Sequence, residues 1–187
     1  MALLGVALKP CKVRSASRFD RQWKRNLERT VRRCVCLQLA PRLGGAAVSR
    51  IFWDTNLFIY LFEGNAEYLE ATRSLRQRMI ERGDELVTSS MTLAEVQVGP
   101  RRQKNFALAK NYREVICRTS TIVPFDEAAA DIYAVLRENP TIKPPDAIQL
   151  SCAAAHGVEL FITNDTGLQK LTVPGIHFVT SLMRVPI

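Results

Sequence analysis

Short apolar runs alternate with helical segments along most of this chain, and that alternation is the feature that most limits its fold. The runs at 51–53, 85–88 and 160–163 are three to four residues long, a length typical of buried strands. The segments between them carry apolar residues at helical spacing. Strands separated by helices in this way predict a parallel sheet with helices on both faces.

The same pattern predicts the individual elements. Strands are expected at 51–53, 85–88, 121–124, 160–163 and 176–179. Helices are expected at 55–62, 66–82, 92–98, 101–117, 126–139, 146–156 and 165–171. Gly83 and the pair Gly99 and Pro100 are predicted to end the second and third helices.

The positive charge of the chain belongs to its first fifty residues. The net charge of the 187 residues is +8, but residues 1–50 hold 12 of the 26 Lys and Arg and two of the 18 acids. Residues 51–187 are therefore slightly acidic. We expect a basic extension over 1–49, flexible or partly helical because five apolar residues recur every fourth position, and a single domain over 50–187. The five are Phe19, Trp23, Leu27, Val31 and Val35.

Cysteine usage and hydropathy limit the cellular compartments in which the protein is expected. The five cysteines are an odd number and form no Cys-x-x-Cys pair, which favours free thiols in a reducing compartment over disulfides or zinc. No apolar run is long enough to cross a bilayer. We therefore expect a cytoplasmic protein that does not span a membrane.

Four acids stand where a predicted strand gives way to a predicted helix. Asp54 ends the first strand, Glu95 opens the helix after the second, Asp146 opens the helix after two prolines, and Asp165 follows the fourth strand. The carboxyl ends of parallel strands lie along one edge of a sheet, where ligands bind. The topology therefore allows all four acids to face one crevice.

Each acid also has a structural explanation. Asp54, Asp146 and Asp165 suit the first turn of a helix, where a carboxylate stabilises by about 1 kcal/mol. Thr92 and Glu95 have the spacing of a capping box. A cluster of acids without a neighbouring Lys or Arg instead favours a divalent cation, and oxygen ligands without His or Cys favour a hard ion such as Mg²⁺ or Mn²⁺. Both interpretations stay open at this point.

Four motifs in order make the chain resemble a PIN domain, and more narrowly the toxin ribonucleases of the VapC family. They are IFWDTN at 51–56, SSMTLAEV at 89–96, PDAIQL at 145–150 and FITND at 161–165. The resemblance runs from Arg50 to about Val179 and leaves the basic extension unexplained. It implies a three-layer α/β/α fold around a mostly parallel sheet of four to five short strands.

The resemblance also assigns roles to residues. It implies that Asp54, Glu95, Asp146 and Asp165 are the metal-binding and catalytic acids of a Mg²⁺-dependent endoribonuclease, with Mn²⁺ as a possible substitute. Thr55, Asn56, Thr163 and Asn164 match the family's flanking polar positions, and the adjacent Asn164 leaves open which side chain faces the metal. A toxin of this kind implies an RNA substrate, a cognate antitoxin and a homodimer.

Four basic residues lie near these motifs in sequence and are candidate phosphate contacts: Arg101, Arg102, Lys104 and Lys143. A solvated charged surface is the alternative for each.

Two rival functions remain. One is a catalytically silent PIN-type module that binds RNA or protein, and the other is an RNA-processing nuclease outside a toxin-antitoxin pair. A phosphatase or nucleotide-binding domain is disfavoured because the chain lacks a Gly-rich phosphate loop.

Overall fold

The computed structural model of the protein describes residues 48–187, which form alternating strands and helices and two short 3-10 turns. The strands are β1 (Arg50–Trp53), β2 (Glu85–Ser89), β3 (Thr121–Val123), β4 (Leu160–Ile162) and β5 (Phe178–Thr180). The helices are α1 (Thr55–Glu63), α2 (Leu69–Arg82), α3 (Ser90–Arg102), α4 (Phe106–Thr119), α5 (Glu127–Leu136) and α6 (Pro144–Ala155). The 3-10 turns are Leu168–Lys170 and Leu182–Arg184.

The five strands form one parallel sheet in the order β3-β2-β1-β4-β5. β1 is the central strand, and its Phe52 is in register with Val87 of β2 and Phe161 of β4. The chain builds the sheet outward from β1 to β3, then returns to the other side of β1 to add β4 and β5. The order therefore reverses at β1, and such a switch point is where open α/β sheets bind ligands at the carboxyl ends of their strands.

Alternate residues of the strands feed two separate cores. Phe52 stacks on Phe161 with ring centroids 4.7 Å apart, in a cluster that includes Leu150 of α6 and Leu136 of α5. The other face of β1 presents Ile51 and Trp53 to side chains of α1, α2 and α4, among them Leu57, Leu75 and Ile116. Because both faces are covered, the strands can be apolar throughout. The predicted three-layer α/β/α fold is confirmed.

Helix α3 departs most from expectation. We predicted that Gly99 and Pro100 would stop it, but the helix continues through both to Arg102. A proline inside a helix removes one backbone hydrogen bond, here to the carbonyl of Val96. Pro100 is buried, and α3 packs closely against α4, so the tertiary contacts offset the lost bond.

The starts of two other helices are set by side chains that accept backbone hydrogen bonds. Asn105 caps α4, which therefore begins at Phe106 and not at 101. Asn65 accepts the N–H groups of Glu67 and Tyr68 in a turn, so α2 begins at Leu69 and not at 66.

Smaller differences occur at the other boundaries. Helix α5 is shorter than predicted, helix α6 begins two residues earlier, the predicted helix at 165–171 is only a 3-10 turn, and β5 is shifted from 176–179 to Phe178–Thr180. In residues 48–187 no helix is long and apolar enough to cross a membrane. Cys117 and Cys152 are free thiols there. The predicted extension at 1–49, with its possible helix, lies outside the described residues, so its boundary with the domain stays a prediction.

Candidate active site

Asp54 lies at the carboxyl end of β1 and caps α1. Its backbone N–H continues the sheet by donating to the carbonyl of Ile162 at 3.1 Å, and this places Asp54 beside Thr163 at the end of β4. One carboxylate oxygen accepts the N–H of Thr55 at 2.6 Å. The other accepts the Thr163 hydroxyl at 2.6 Å and the Asn56 amide at 3.1 Å. The predicted capping role is present, together with contacts that capping does not need.

The environment of Asp54 opposes its charge. Burial and, less strongly, the nearby carboxylates of Glu95 and Asp146 raise the pKa of Asp54, while the hydrogen bonds from Thr163 and Thr55 lower it, and the net result is a pKa of about 6. A carboxylate that is half protonated at about pH 6 has lost more solvation than its hydrogen bonds return. This is the electrostatic situation that a bound cation would relieve.

Glu95 faces the same edge from α3 and does not form the capping box. The cap of α3 is Ser89, which accepts the N–H of Thr92, so the capping-box interpretation is wrong. The Glu95 carboxylate instead accepts the hydroxyl of Thr55 and, at 2.9 Å, the side-chain amide of Gln149. Its contacts therefore cross to α1 and α6.

Asp146 is the third residue of α6, half-buried beside the other acids. In residues 48–187 its carboxylate has no hydrogen bond and no ion pair. Burial raises its pKa, Asp165 raises it further, and Lys143 lowers it. Since Asp146 bonds to no backbone N–H of its helix, its first-turn position alone does not explain its orientation.

Asn164 and Asp165 are adjacent in sequence but hydrogen-bond to different parts of the fold. Asp165 accepts the N–H of Gly167 at 2.7 Å in a tight turn, whereas Asn164 accepts the N–H of Leu182 at 3.1 Å and donates to the hydroxyl of Tyr60 at 3.4 Å. Asn164 thus contacts none of the four acids. Asp165, the electrostatic neighbour of Asp146, is the better candidate of the two for a metal.

We name the four acids Asp54, Glu95, Asp146 and Asp165 the acidic edge. The carboxylates of Glu95 and Asp146 raise the pKa of Asp54, and that of Asp165 raises the pKa of Asp146, so the fold brings Asp54 near Glu95 and Asp146, and Asp146 near Asp165. Within the described residues none of them pairs with a Lys, Arg or His. Acids left uncompensated in this way are suited to a cation.

The side-chain oxygens of the acidic edge have the chemistry that a hard divalent ion prefers, but in residues 48–187 they are not arranged around a single point. As they stand, no three His, Cys, Asp or Glu side chains in residues 48–187 are close enough to hold an ion together. The amide oxygen of Asn56 is buried beside Asp54 without a hydrogen-bond partner. The oxygen atoms are therefore of the correct chemistry, and holding an ion needs the carboxylates to draw together.

The predicted basic contacts are placed unevenly. Lys143 precedes α6 and acts electrostatically on Asp146, so it does lie at the acidic edge. Arg101 and Arg102 are exposed in the last turn of α3, about 9 Å or more along the helix from Glu95, and Lys104 is exposed in the following turn. These three belong to a neighbouring surface.

The sequence reasoning missed Gln149, a buried amide that contacts Glu95. The signal was present, because Gln149 lies three residues after Asp146 and therefore on the same side of α6. It is also polar among the small and apolar residues of that helix.

Fold and site together define a class: a three-layer α/β protein with acids at the switch point of a parallel sheet. Comparison with known families makes the class specific, since the PIN domain profile matches residues 51–173. The chain belongs to the PIN domain family. A comparison with curated proteins gave no match.

Several solved structures are similar to this chain. VapBC2 from Rickettsia felis bound to a promoter DNA fragment is 18% identical over 71% of this chain and 98% of its own, with a TM-score of 0.58. DNA-bound VapBC from Salmonella typhimurium is 21% identical over 72% and 99%, with a TM-score of 0.52. At such identities these two likenesses concern the fold alone. A toxin-antitoxin complex from Klebsiella pneumoniae is 27% identical over 67% and 94%, with a TM-score of 0.52.

Proposed function

We propose that this protein is a cytoplasmic Mg²⁺-dependent endoribonuclease and the toxin of a type II toxin-antitoxin pair. The observation that carries the proposal is the acidic edge: a partly buried Asp54 whose pKa is raised to about 6, next to three further acids that form no salt bridge within the described residues, in a PIN domain. The cost of assembling these charges is difficult to explain by helix capping alone.

The acids divide into two groups. Asp54 and Asp146 are the proposed metal ligands with the strongest case, because both have raised pKa values. Glu95 and Asp165 complete the site directly or through water. When bound, Mg²⁺ supplies an activated water and offsets charge developing on the phosphodiester.

The neighbouring polar residues hold the carboxylates in place. The Thr55 N–H and the Thr163 hydroxyl fix the two oxygens of Asp54, while the Thr55 hydroxyl reaches Glu95. Thr55 therefore links two of the proposed ligands. Hydrogen bonds of this kind favour the charged carboxylate, which is the form that binds a cation.

RNA is a polyanion and needs positive charge near these acids. Lys143 is the proposed phosphate contact nearest to the scissile bond, since it already acts on Asp146. Arg101, Arg102 and Lys104 are proposed to bind the strand further away.

The toxin assignment rests on the similarity to the Klebsiella pneumoniae toxin-antitoxin complex. We propose a cognate antitoxin and a homodimer by this analogy. An RNA-processing nuclease outside such a pair is the outcome if no antitoxin exists. The test is to express the protein together with the product of any small reading frame that adjoins its gene: a stable complex that inhibits cleavage supports the toxin, and unchanged cleavage or the lack of such a reading frame contradicts it.

One observation favours a second candidate, a PIN module that binds RNA without cutting it. The four acids do not stand close enough to hold an ion without rearrangement, and Asp165 already accepts backbone N–H groups. RNA cleavage decides between the two.

The experiment compares cleavage of total RNA by the wild type, Asp54→Asn and Asp146→Asn, with Mg²⁺ and with EDTA. Asn keeps the shape of the side chain and can cap a helix but carries no negative charge, so it binds Mg²⁺ much more weakly than Asp does. The matched control is Glu85→Gln, an acid at the opposite end of β2. We expect at least about 100-fold slower cleavage in both Asn variants and in EDTA, and wild-type cleavage by the control. Equal cleavage by all variants would overturn the metal site, and binding without cleavage by the wild type would establish the silent module.

A further inference from the structure

We propose that Gln149 is a positioning residue for Glu95: its buried side-chain amide fixes the carboxylate in the orientation that the metal site uses. The inference rests on the proposed function, because it assigns a purpose to Glu95 in that site. It concerns a residue outside the acids and their flanking polar positions.

The hydrogen bonds of Gln149 use its whole amide group. The Nε2 group donates to Glu95 Oε2 at 2.9 Å and to Thr55 Oγ1 at 3.0 Å, which occupies both of its N–H bonds. The Oε1 atom accepts the hydroxyl of Thr92 at 3.3 Å. The amide can satisfy these partners in one orientation only, because its oxygen faces a donor and its nitrogen faces a carboxylate.

A buried chain of hydroxyls extends behind Gln149 into the sheet. The hydroxyl of Thr88 lies 2.8 Å from that of Thr92 and 2.9 Å from the carbonyl oxygen of Trp53. Gln149 is 2% exposed, and Thr88 and Thr92 are fully buried. Buried polar groups are costly unless they are hydrogen-bonded, so the chain holds the amide rigidly.

As a result, one oxygen of the Glu95 carboxylate accepts hydrogen bonds and the other accepts none within the described residues. Oε2 accepts from both Thr55 and Gln149, whereas in residues 48–187 no donor contacts Oε1. Fixing Oε2 at two points limits rotation of the carboxylate. Oε1 therefore remains as the atom for an ion or for a water bound to it.

A purely structural role is the competing explanation, because the same chain ties α3 and α6 to the sheet. A structural role predicts a loss of stability that is independent of Glu95. A positioning role predicts a loss of metal affinity that depends on Glu95, and a double-mutant cycle separates the two.

The experiment measures Mn²⁺ binding by calorimetry, without RNA, to the wild type, Gln149→Met, Glu95→Gln and the double variant. Met is similar in size to Gln but cannot donate. The matched control is Ser151→Ala, which removes another buried polar group of α6 whose hydroxyl bonds only within its own helix. Thermal unfolding of each protein verifies that it is folded.

We expect Gln149→Met to weaken Mn²⁺ binding by about 10- to 100-fold, as is typical for residues that orient metal ligands. It should have no further effect once Glu95 is Gln, and Ser151→Ala should bind as the wild type does. The inference is overturned if Gln149→Met binds within about twofold of the wild type, or if its loss adds fully to that of Glu95→Gln.

A second pair of variants keeps the test decisive if Gln149→Met does not fold. Thr92→Val removes the hydroxyl that orients the amide, and Thr92→Ser keeps it. We expect a several-fold loss of Mn²⁺ affinity in the first and recovery in the second, and equal affinities would overturn the inference.

Different results would contradict the proposed function and the positioning role of Gln149. A folded wild type that binds no Mn²⁺ overturns both the proposed function and the positioning role. A wild type that binds Mn²⁺ and loses it in Asp54→Asn, but not in Gln149→Met, overturns the positioning role alone.

Discussion

The two ends of the central strands carry acids in opposite surroundings. At the amino end, Arg50 pairs with Glu85 at 3.0 Å, Arg82 pairs with Asp84 at 2.9 Å, and the Ser49 hydroxyl donates to Glu159 at 2.9 Å. We name these three acids the paired edge. At the carboxyl end, the acidic edge has no such cation in the described residues.

The difference separates charges that hold the fold together from charges kept for another purpose. At the paired edge, Glu85 and Asp84 each form a salt bridge with an arginine of the chain itself. At the acidic edge, burial and neighbouring carboxylates raise the pKa values of Asp54 and Asp146, which costs stability. Natural proteins accept such costs chiefly at functional sites.

Neutralising Asp54 should stabilise the protein when no metal is present. Its pKa is about 6 in the fold against an ordinary 3.8, so the folded state binds more protons between about pH 4 and pH 6. Stability therefore falls as pH rises through that window, and above it the cost reaches about 3 kcal/mol. In EDTA, Asp54→Asn should gain up to this amount at pH 7.5 and almost nothing at pH 4.

Urea unfolding at several pH values measures this gain. The matched control at the paired edge is Glu159→Gln, which loses the Ser49 hydrogen bond to a carboxylate and should not be stabilised at pH 7.5. A destabilised Asp54→Asn at pH 7.5 would contradict the contrast, because it would mean that the charge of Asp54 supports the fold.

Divalent metal should remove the penalty at the acidic edge. A ligand that binds only the folded state stabilises it by about 2.7 kcal/mol at a concentration 100 times its Kd. We expect Mg²⁺ to raise the Tm of the wild type and to leave that of Asp54→Asn unchanged, as measured by calorimetry. Equal shifts in both proteins would mean that the ion binds elsewhere.

Removing the main cation of the paired edge should cost stability alone. Arg50→Met breaks the pair with Glu85 and the hydrogen bond to the carbonyl of His156 at the end of α6. Both partners in the pair are about one third exposed, so we expect a loss of about 1–2 kcal/mol by urea unfolding. Mn²⁺ affinity should not change, and a weaker affinity would show that the two edges are coupled.

The smallest effect is expected next to the acidic edge. Asn164→Ala removes bonds to Tyr60 and to the backbone of Leu182 but touches none of the four acids. We expect about 1 kcal/mol of destabilisation by urea unfolding and wild-type Mn²⁺ affinity. An affinity loss as large as that of Asp165→Asn would reassign the fourth ligand position.

The fold could be predicted to a large extent from the sequence because its strands are short, apolar and separated by helices. The central runs at β1 and β4 are buried on both faces, so their sequence needs no alternation. Helix boundaries were less predictable. Pro100 stays inside α3 because packing compensates for it, and local propensity contains no information about packing.

In the candidate site, too, some features could be predicted from the sequence and others could not. The positions of Asp54, Asp146 and Asp165 close to strand and helix junctions followed from the sequence. Glu95 was predicted to open its helix, but it is the sixth residue of α3, because the helix begins at Ser90. Local pattern could not show that Glu95 bonds to Thr55 and Gln149 instead of capping α3, because these contacts join residues 40 and 54 positions apart. Local pattern also could not show that Asn164, and not Asp165, accepts the N–H of Leu182 in the last 3-10 turn.

The order of elements, the apolar identity of the strands and the chemistry of the acidic residues could all be read from the sequence. These are properties of residues and of their immediate neighbours. Which acids are compensated by a cation became known only from the folded chain, since compensation depends on partners that approach from distant parts of the sequence. Asp54 and Glu85 are both acids at the ends of strands. Their surroundings differ because the fold brings Arg50 to Glu85 and further carboxylates to Asp54.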